Sequence, residues 1–233
     1  MNAFWEETVS PDRTLTDPSG CWAPPEVLRL FQEAAARHAA GWGYSDDALG
    51  RDHRAWIVVR QGLRFASAPP DGAAPLRLCT WTGQARHGLY PRYYELRRGE
   101  DTLISGWAMW AVLDLERRAL LSPAESGVTL PDTVTGREEP LRRLRPAALP
   151  HRFSFSVSSD RIDRNGHMNN VRYVEAALLP RGAAGLTALT VEYRAEALAG
   201  DELEITWGGS GGDCAVQGTV AGRLSFLAEL HYA

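Results

Sequence analysis

Two stretches of this chain echo each other. Asp17-Pro18-Ser19-Gly20-Cys21 and Asp163-Arg164-Asn165-Gly166-His167 align at an offset of 146 positions (163 − 17), and each leads into a segment containing Glu-Ala-Ala, at Glu33-Ala34-Ala35 and Glu175-Ala176-Ala177. Further on, Cys79-Thr80-Trp81-Thr82-Gly83 matches Ile205-Thr206-Trp207-Gly208-Gly209 at an offset of 126 (207 − 81). The shorter second offset means that the second copy has lost residues between its helix and its strands. A duplicated unit is the economical reading.

The element order repeats with the motifs. Phe4–Val9 reads as a strand, Pro24-Pro25-Glu26 opens a helix, and Val27, Leu28, Phe31, Ala34, Ala35 and His38 recur at helical spacing until Gly41 and Gly43 stop it. Strands follow at Ala55–Phe65, Leu76–Gly83, Tyr90–Arg98 and Thr102–Leu115. The second copy repeats the order: a strand at Arg152–Ser158, a helix at Val171–Leu179 stopped by Pro180, then strands at Leu186–Ala195, Asp201–Trp207, Cys214–Ala221 and Arg223–Tyr232. Between Ser122 and Pro150 periodicity lapses and five prolines gather, which is linker composition. The expected organisation is therefore a first unit over 1–121, a linker over 122–150 and a second unit over 151–233.

A helix with one apolar stripe, followed by antiparallel strands with one apolar face, buries both when the sheet wraps the helix. Two such units can join their sheets edge to edge, and each then loses an exposed edge. The expected class is α+β, a pseudo-dimer with one continuous sheet.

Composition excludes several functions. The 25 basic residues, all arginine, against 29 acidic ones give a net charge of −4, without the basic footprint that a general nucleic-acid binder needs. Cys21, Cys79 and Cys214 are odd in number and without metal-site spacing, so neither a disulfide framework nor a zinc site is expected, and a reducing cytoplasm fits. No apolar run approaches the ~18 residues of a membrane span.

Chemistry concentrates at Asp163-Arg164-Asn165-Gly166-His167-Met168-Asn169-Asn170, between a strand and a helix start that offers unpaired N–H groups. If the segment is extended, Asp163, Asn165 and His167 point to one side. Taken singly, each is an ordinary turn or capping residue, but together they far exceed what one helix cap requires.

This run, with Val171-Arg172-Tyr173 and the later Leu189-Thr190-Val191-Glu192-Tyr193-Arg194-Ala195-Glu196, resembles the acyl-acyl-carrier-protein (acyl-ACP) thioesterases of plants and bacteria. Those proteins are two tandem hot-dog units, each a helix wrapped by an antiparallel sheet. The resemblance implies hydrolysis of an acyl-ACP thioester without a cofactor or metal, with Asp163, Asn165, His167 and Glu196 as the hydrolytic residues. It also implies substrate contacts from Asn169 and Asn170, an acyl channel in the first unit for which Trp56, Trp107, Trp110, Phe31 and Tyr94 are the candidate lining residues, and recognition of the carrier protein by arginines. Arg92, Arg97, Arg98, Arg117 and Arg118 are candidates for that role, after the linker trio Arg142, Arg143 and Arg145. The first unit's turn, with Asp17, Ser19 and Cys21, has no histidine and is expected to be non-catalytic. A monomer or a homodimer is expected.

Two departures stand out. Ala197 occupies a position where plant relatives often carry a cysteine, and only 29 positions (196 − 167) separate His167 from Glu196, which implies a short second helix. An acyl-CoA thioesterase and a non-catalytic acyl-thioester sensor are the alternatives, whereas a dehydratase is disfavoured because no His-Phe pair occurs.

Overall fold

Alternating apolar and polar residues build eleven strands into one antiparallel sheet in the computed structural model, which describes residues 2–10, 15–69, 74–131, 143–163 and 165–233. In chain order the strands are β1 (Phe4–Val9), β2 (Arg54–Phe65), β3 (Leu76–Thr82), β4 (Tyr90–Arg98), β5 (Asp101–Asp114), β6 (Ala119–Leu121), β7 (His151–Ser156), β8 (Leu186–Tyr193), β9 (Glu202–Gly208), β10 (Asp213–Val220) and β11 (Arg223–Tyr232). They pair in the order β1-β3-β4-β5-β2-β8-β11-β10-β9-β7, with β6 added to β5. The second five-strand set thus mirrors the first about the β2–β8 junction. There the registers Arg60↔Glu192, Gly62↔Thr190 and Arg64↔Ala188 join the two sets into a continuous sheet.

The helices lie on one face of this sheet. Helix α1 (Pro24–Gly41) carries its prolines in the first turn, where their missing N–H groups cost nothing, and buries Val27, Leu28, Phe31, Ala34 and Ala35. Phe31 stacks on Tyr94 at 4.7 Å between ring centroids, and a Cβ at Gly106 would sit 2.6 Å from the Phe31 ring, so that glycine lets the helix settle on β5. The corresponding helix of the second copy spans Asn170–Leu178, 9 residues against 18, and its first residue lies at the motif offset of 146 from Pro24 (170 − 24). The short second helix expected from sequence is therefore present, and β3 and β9 coincide at the offset of 126 (202 − 76). One apolar core runs through both halves between the helices and the sheet.

Two short helices were not anticipated: α2 (Asp46–Gly50), capped by Ser45, and α3 (Pro123–Ser126), which has a reciprocal capping box between Ser122 and Glu125. The remaining helix, Asn170–Leu178, is α4. The segment read as a linker is largely bound to the body. Ser126 at the end of α3 accepts a bond from Arg54, and its hydroxyl meets the Tyr90 hydroxyl at 2.6 Å. Beyond 132–142, the chain crosses the face of the sheet opposite the helices. There Leu144 N–H donates to Glu192 at 2.9 Å, and Ala147 exchanges hydrogen bonds with the Gln217 side chain. The physical reason is the buried Arg60–Glu192 pair at the junction, 2.9 Å apart, which also takes a 2.6 Å contact from Arg194. A buried carboxylate needs its lone pairs filled, and the crossing backbone fills one of them. No helix of the described residues is long and apolar enough to cross a membrane.

Candidate active site

The same turn is built twice. In the first half Asp17 N–H donates to Cys21 O (2.8 Å), Gly20 N–H to Asp17 O (3.0 Å), Ala23 N–H to Leu15 O (2.9 Å), and Thr16 bridges Trp22. In the second, Asp163 N–H donates to His167 O (2.9 Å), Gly166 N–H to Asp163 O (3.0 Å), Asn169 N–H to Arg161 O (2.9 Å), and Ile162 bridges Met168. Every pair is related by 146 positions, and Gly20 and Gly166 adopt the same left-handed conformation, φ +83° and +85°. The segment is a closed turn rather than an extended one, so His167 does not share a side with Asp163 and Asn165.

The two turns differ in how their aspartates are used. The Asp17 carboxylate accepts bonds from Ser19 N–H, the Ser19 hydroxyl and Cys21 N–H. Desolvation raises its pKa, but these hydrogen bonds outweigh it and hold the group below its ordinary value. Asp163, by contrast, accepts only the Asn165 N–H at 2.8 Å among the described residues, and with Asn165 it lines a cavity of about 290 Å³. Its remaining lone pairs are available to a ligand. The Asn165 amide makes no side-chain bond among the described residues.

Helix α4 presents its N-terminus to the same cavity. Asn169 caps it by accepting from Val171 N–H at 3.0 Å, and both Asn169 and Asn170 line the wall. The Asn170 N–H has no partner among the described residues, as expected for a first-turn amide at the positive end of a helix. A buried chain of polar groups fixes this start from the first half: Gln32 donates to Gln61 (3.1 Å), Gln61 to the Tyr193 hydroxyl (2.6 Å), and that hydroxyl to Asn170 O (3.1 Å).

The facing wall comes from the first half. Trp56, Tyr90 and Trp110 project from β2, β4 and β5, with Ala35 and Ala39 of α1 beside them and Leu130, from the segment read as a linker, among the lining residues. Trp56 meets Tyr90 edge-on at 5.3 Å. Trp107, expected to line this channel, instead points to the opposite sheet face, because it stands three positions from Trp110 on the same strand. There it packs over Gly62, in a depression that Leu144 partly covers.

His167 and Glu196 stand outside the cavity lining. Their Nε2 and Oε1 atoms lie 3.5 Å apart, both groups are about one-third exposed, and Arg118 of the β5–β6 turn reaches across from the first half to Glu196 at 2.9 Å. The turn and the Glu196 segment are tied by Met168 N–H to Ala197 O (2.8 Å), and Tyr173 of α4 accepts from Ala197 N–H (2.9 Å). The structure thus splits the four expected hydrolytic residues into a cavity pair, Asp163 and Asn165, and an adjacent pair, His167 and Glu196. Among the expected carrier-binding arginines, Arg143 and Arg145 are exposed, Arg118 is engaged by Glu196, Arg92 is buried, and Arg142 lies outside the described residues. Among the described residues no group of three or more His, Cys, Asp or Glu side chains is placed to hold a metal ion.

No protein-family model matches this sequence, and no curated protein matches it. Solved structures do. An acyl-ACP thioesterase from Bacteroides thetaiotaomicron superposes with a TM-score of 0.83 at 18% identity, over 99% of this chain and 98% of that one. A 12:0-ACP thioesterase from Umbellularia californica superposes equally well, 0.83 at 18% identity, over 100% and 98%. A MaoC-like dehydratase from Phytophthora capsici gives 0.53 at 13% identity, over 76% and 69%. At these identities the likeness is one of fold, and the fold of this chain is the tandem hot-dog of the acyl-ACP thioesterases.

Proposed function

We propose that this protein hydrolyses the thioester of an acyl group carried on acyl carrier protein. The observation that carries the reading is the cavity between the two halves, which has Asp163, Asn165 and the start of α4 on one wall and aromatic rings on the other. The rings accommodate the acyl group, and the polar wall meets its thioester carbonyl. Asp163 takes a proton from water as the oxygen attacks the carbonyl carbon. The charge that develops on the carbonyl oxygen is met by the Asn165 amide and the Asn170 N–H, both donors without a partner among the described residues. Collapse of the tetrahedral intermediate breaks the C–S bond, and the proton held by Asp163 passes to the departing thiolate, giving free acid and thiol. His167, paired with Glu196, is a positioning residue that holds the closing arm of the turn, and Arg118 anchors Glu196 from the other half.

A volume of about 290 Å³ sits at the low end of the ~300–1,000 Å³ typical of small-molecule pockets, which favours acyl groups of modest length. Exposed Arg143 and Arg145 supply positive charge for an acidic carrier protein, an attraction that salt weakens.

The test is thiol release from a panel of acyl-ACP and acyl-CoA thioesters. Faster release from ACP, reduced by about 10²-fold or more in Asp163→Asn and in Asn165→Ala, is the expected outcome. Undiminished release in both variants would remove the site assignment, and equal rates on both carriers would remove the carrier.

A further inference from the structure

The cavity contains a charge that the hydrolytic mechanism does not use. Arg92 on β4 is 5% exposed, lines the cavity and makes no ion pair among the described residues, not even with Asp46 or Glu33, the carboxylates of the first half that share the lining. The contrast with Arg60 is direct: that equally buried guanidinium lies 2.9 Å from the Glu192 carboxylate. Among the described residues every partner of Arg92 is neutral. Its Nη1 reaches the His38 Nδ1 at 3.2 Å and the Thr80 hydroxyl at 3.3 Å, and its guanidinium carbon lies 5.4 Å from the Trp42 ring centroid. His38 donates from Nε2 to Asn2 O, and burial, with the Arg92 charge adding to it against that hydrogen bond, pushes the imidazole down to about 4, so it brings no second charge at neutral pH. The Arg92 Nε and Nη2 atoms make no hydrogen bond among the described residues. Beside them in the lining, the Thr82 hydroxyl is buried and likewise unbonded.

Burying a cation without a counter-ion is unfavourable, and a plain alkyl chain filling this cavity would strip hydration from the guanidinium without replacing it. A carboxylate would satisfy the free edge of the fork and accept from Thr82. Position decides where on the ligand that carboxylate must be. β4 lies two strands from the β2–β8 junction, roughly 10 Å at ~4.8 Å per strand, and in the half opposite to Asp163. The group bound by Arg92 is therefore at the end of the acyl chain remote from the thioester.

We infer that Arg92 and Thr82 bind a carboxylate at the far end of the acyl group, so that the preferred substrate is the half-thioester of a dicarboxylic acid. This rests on the hydrolase reading above and specifies its substrate class. The test uses N-acetylcysteamine thioesters, which carry no phosphate, so that any preference comes from the acyl group. Dicarboxylic half-thioesters from glutaryl to sebacyl are compared with alkyl, hydroxyacyl and ketoacyl thioesters of matched length. Expected is a preference for one dicarboxylic length of at least about tenfold in kcat/KM, which Arg92→Leu abolishes in favour of the alkyl substrate and Thr82→Val diminishes. Preference for alkyl chains by the wild-type protein, or equal use of hydroxyacyl chains, would overturn the inference.

Calorimetric binding of free dicarboxylic and monocarboxylic acids to Asp163→Asn separates the two readings, because it needs no turnover. Tighter binding of the diacid, lost when Arg92→Leu is added, supports the carboxylate site even if no thioester is cleaved. Equal binding of both acids refutes that site even if hydrolysis is fast. Thr82→Val, a near-isosteric change, keeps the question open to measurement if Arg92→Leu does not fold.

Discussion

At the scale of single residues, the two aspartates of the duplicated turn separate structure from chemistry. Asp17 spends its lone pairs on its own loop, whereas Asp163 keeps most of its own for the cavity. Asp17→Ala is therefore expected to lower the melting temperature by a few degrees, as loss of a local turn and cap does at ~1 kcal/mol, while kcat stays within twofold. Asp163→Ala is expected to do the reverse. Melting curves alongside thioester assays decide it, and a kcat loss in Asp17→Ala as large as that in Asp163→Ala would contradict the division of roles. The His167–Glu196–Arg118 contacts make a second residue-scale claim. If His167 positions the turn, His167→Gln should retain more of kcat than His167→Ala at every pH tested. A pH profile that loses its acid limb in both variants would instead identify a proton-transferring imidazole.

At the scale of elements, the strand and helix periods were legible because burial on one side imposes them. β1, β4 and β11 match the sequence expectation residue for residue, and most other strand ends fall within one or two positions. Helix α3 was missed although Ser122-Pro123-Ala124-Glu125 carries a capping-box pattern, because prolines and charges around it read as a linker. The crossing of residues 143–150 was not legible either, since its anchor is a carboxylate far away in sequence. Glu192 lies in the run that carries the family resemblance, where Glu196 is the expected hydrolytic glutamate, and it holds Arg60, Arg194 and the Leu144 backbone together under that crossing. Glu192→Gln removes the buried carboxylate charge that Arg60 and Arg194 share and is expected to cost about 3–5 kcal/mol in denaturant unfolding. A change below ~1 kcal/mol would mean that the junction does not depend on the pair.

At the scale of the whole molecule, the cavity exists because two halves meet, and its acid–base balance follows from the same burial. His38 is held neutral in the folded chain, down to about 4 against an ordinary value of 6.5, by burial above all; the hydrogen bond to the Asn2 carbonyl opposes the shift, and the smaller effect of the Arg92 charge adds to it. A depressed histidine binds its proton in the unfolded chain before the folded one. Folding stability should accordingly fall as pH drops from about 6.5 to about 4, with no further loss from this group below that. Thermal melts across this window, wild type against His38→Asn, should show a shallower slope for the variant, and identical slopes would place the acid sensitivity elsewhere. Repeat spacing, periodicity and turn chemistry are local properties of a chain, and from them the duplication, the α+β class, the continuous sheet and the turn that carries Asp163 and Asn165 follow. The assembled fold adds which face of β5 lines the cavity, that His167 turns to Glu196 and Arg118 rather than to the cavity, and that Arg92 is buried in the cavity wall with no ion pair among the described residues. Those outcomes depend on which side chains from distant strands arrive at the same place, and on the cost of burying a charge that none of them neutralises.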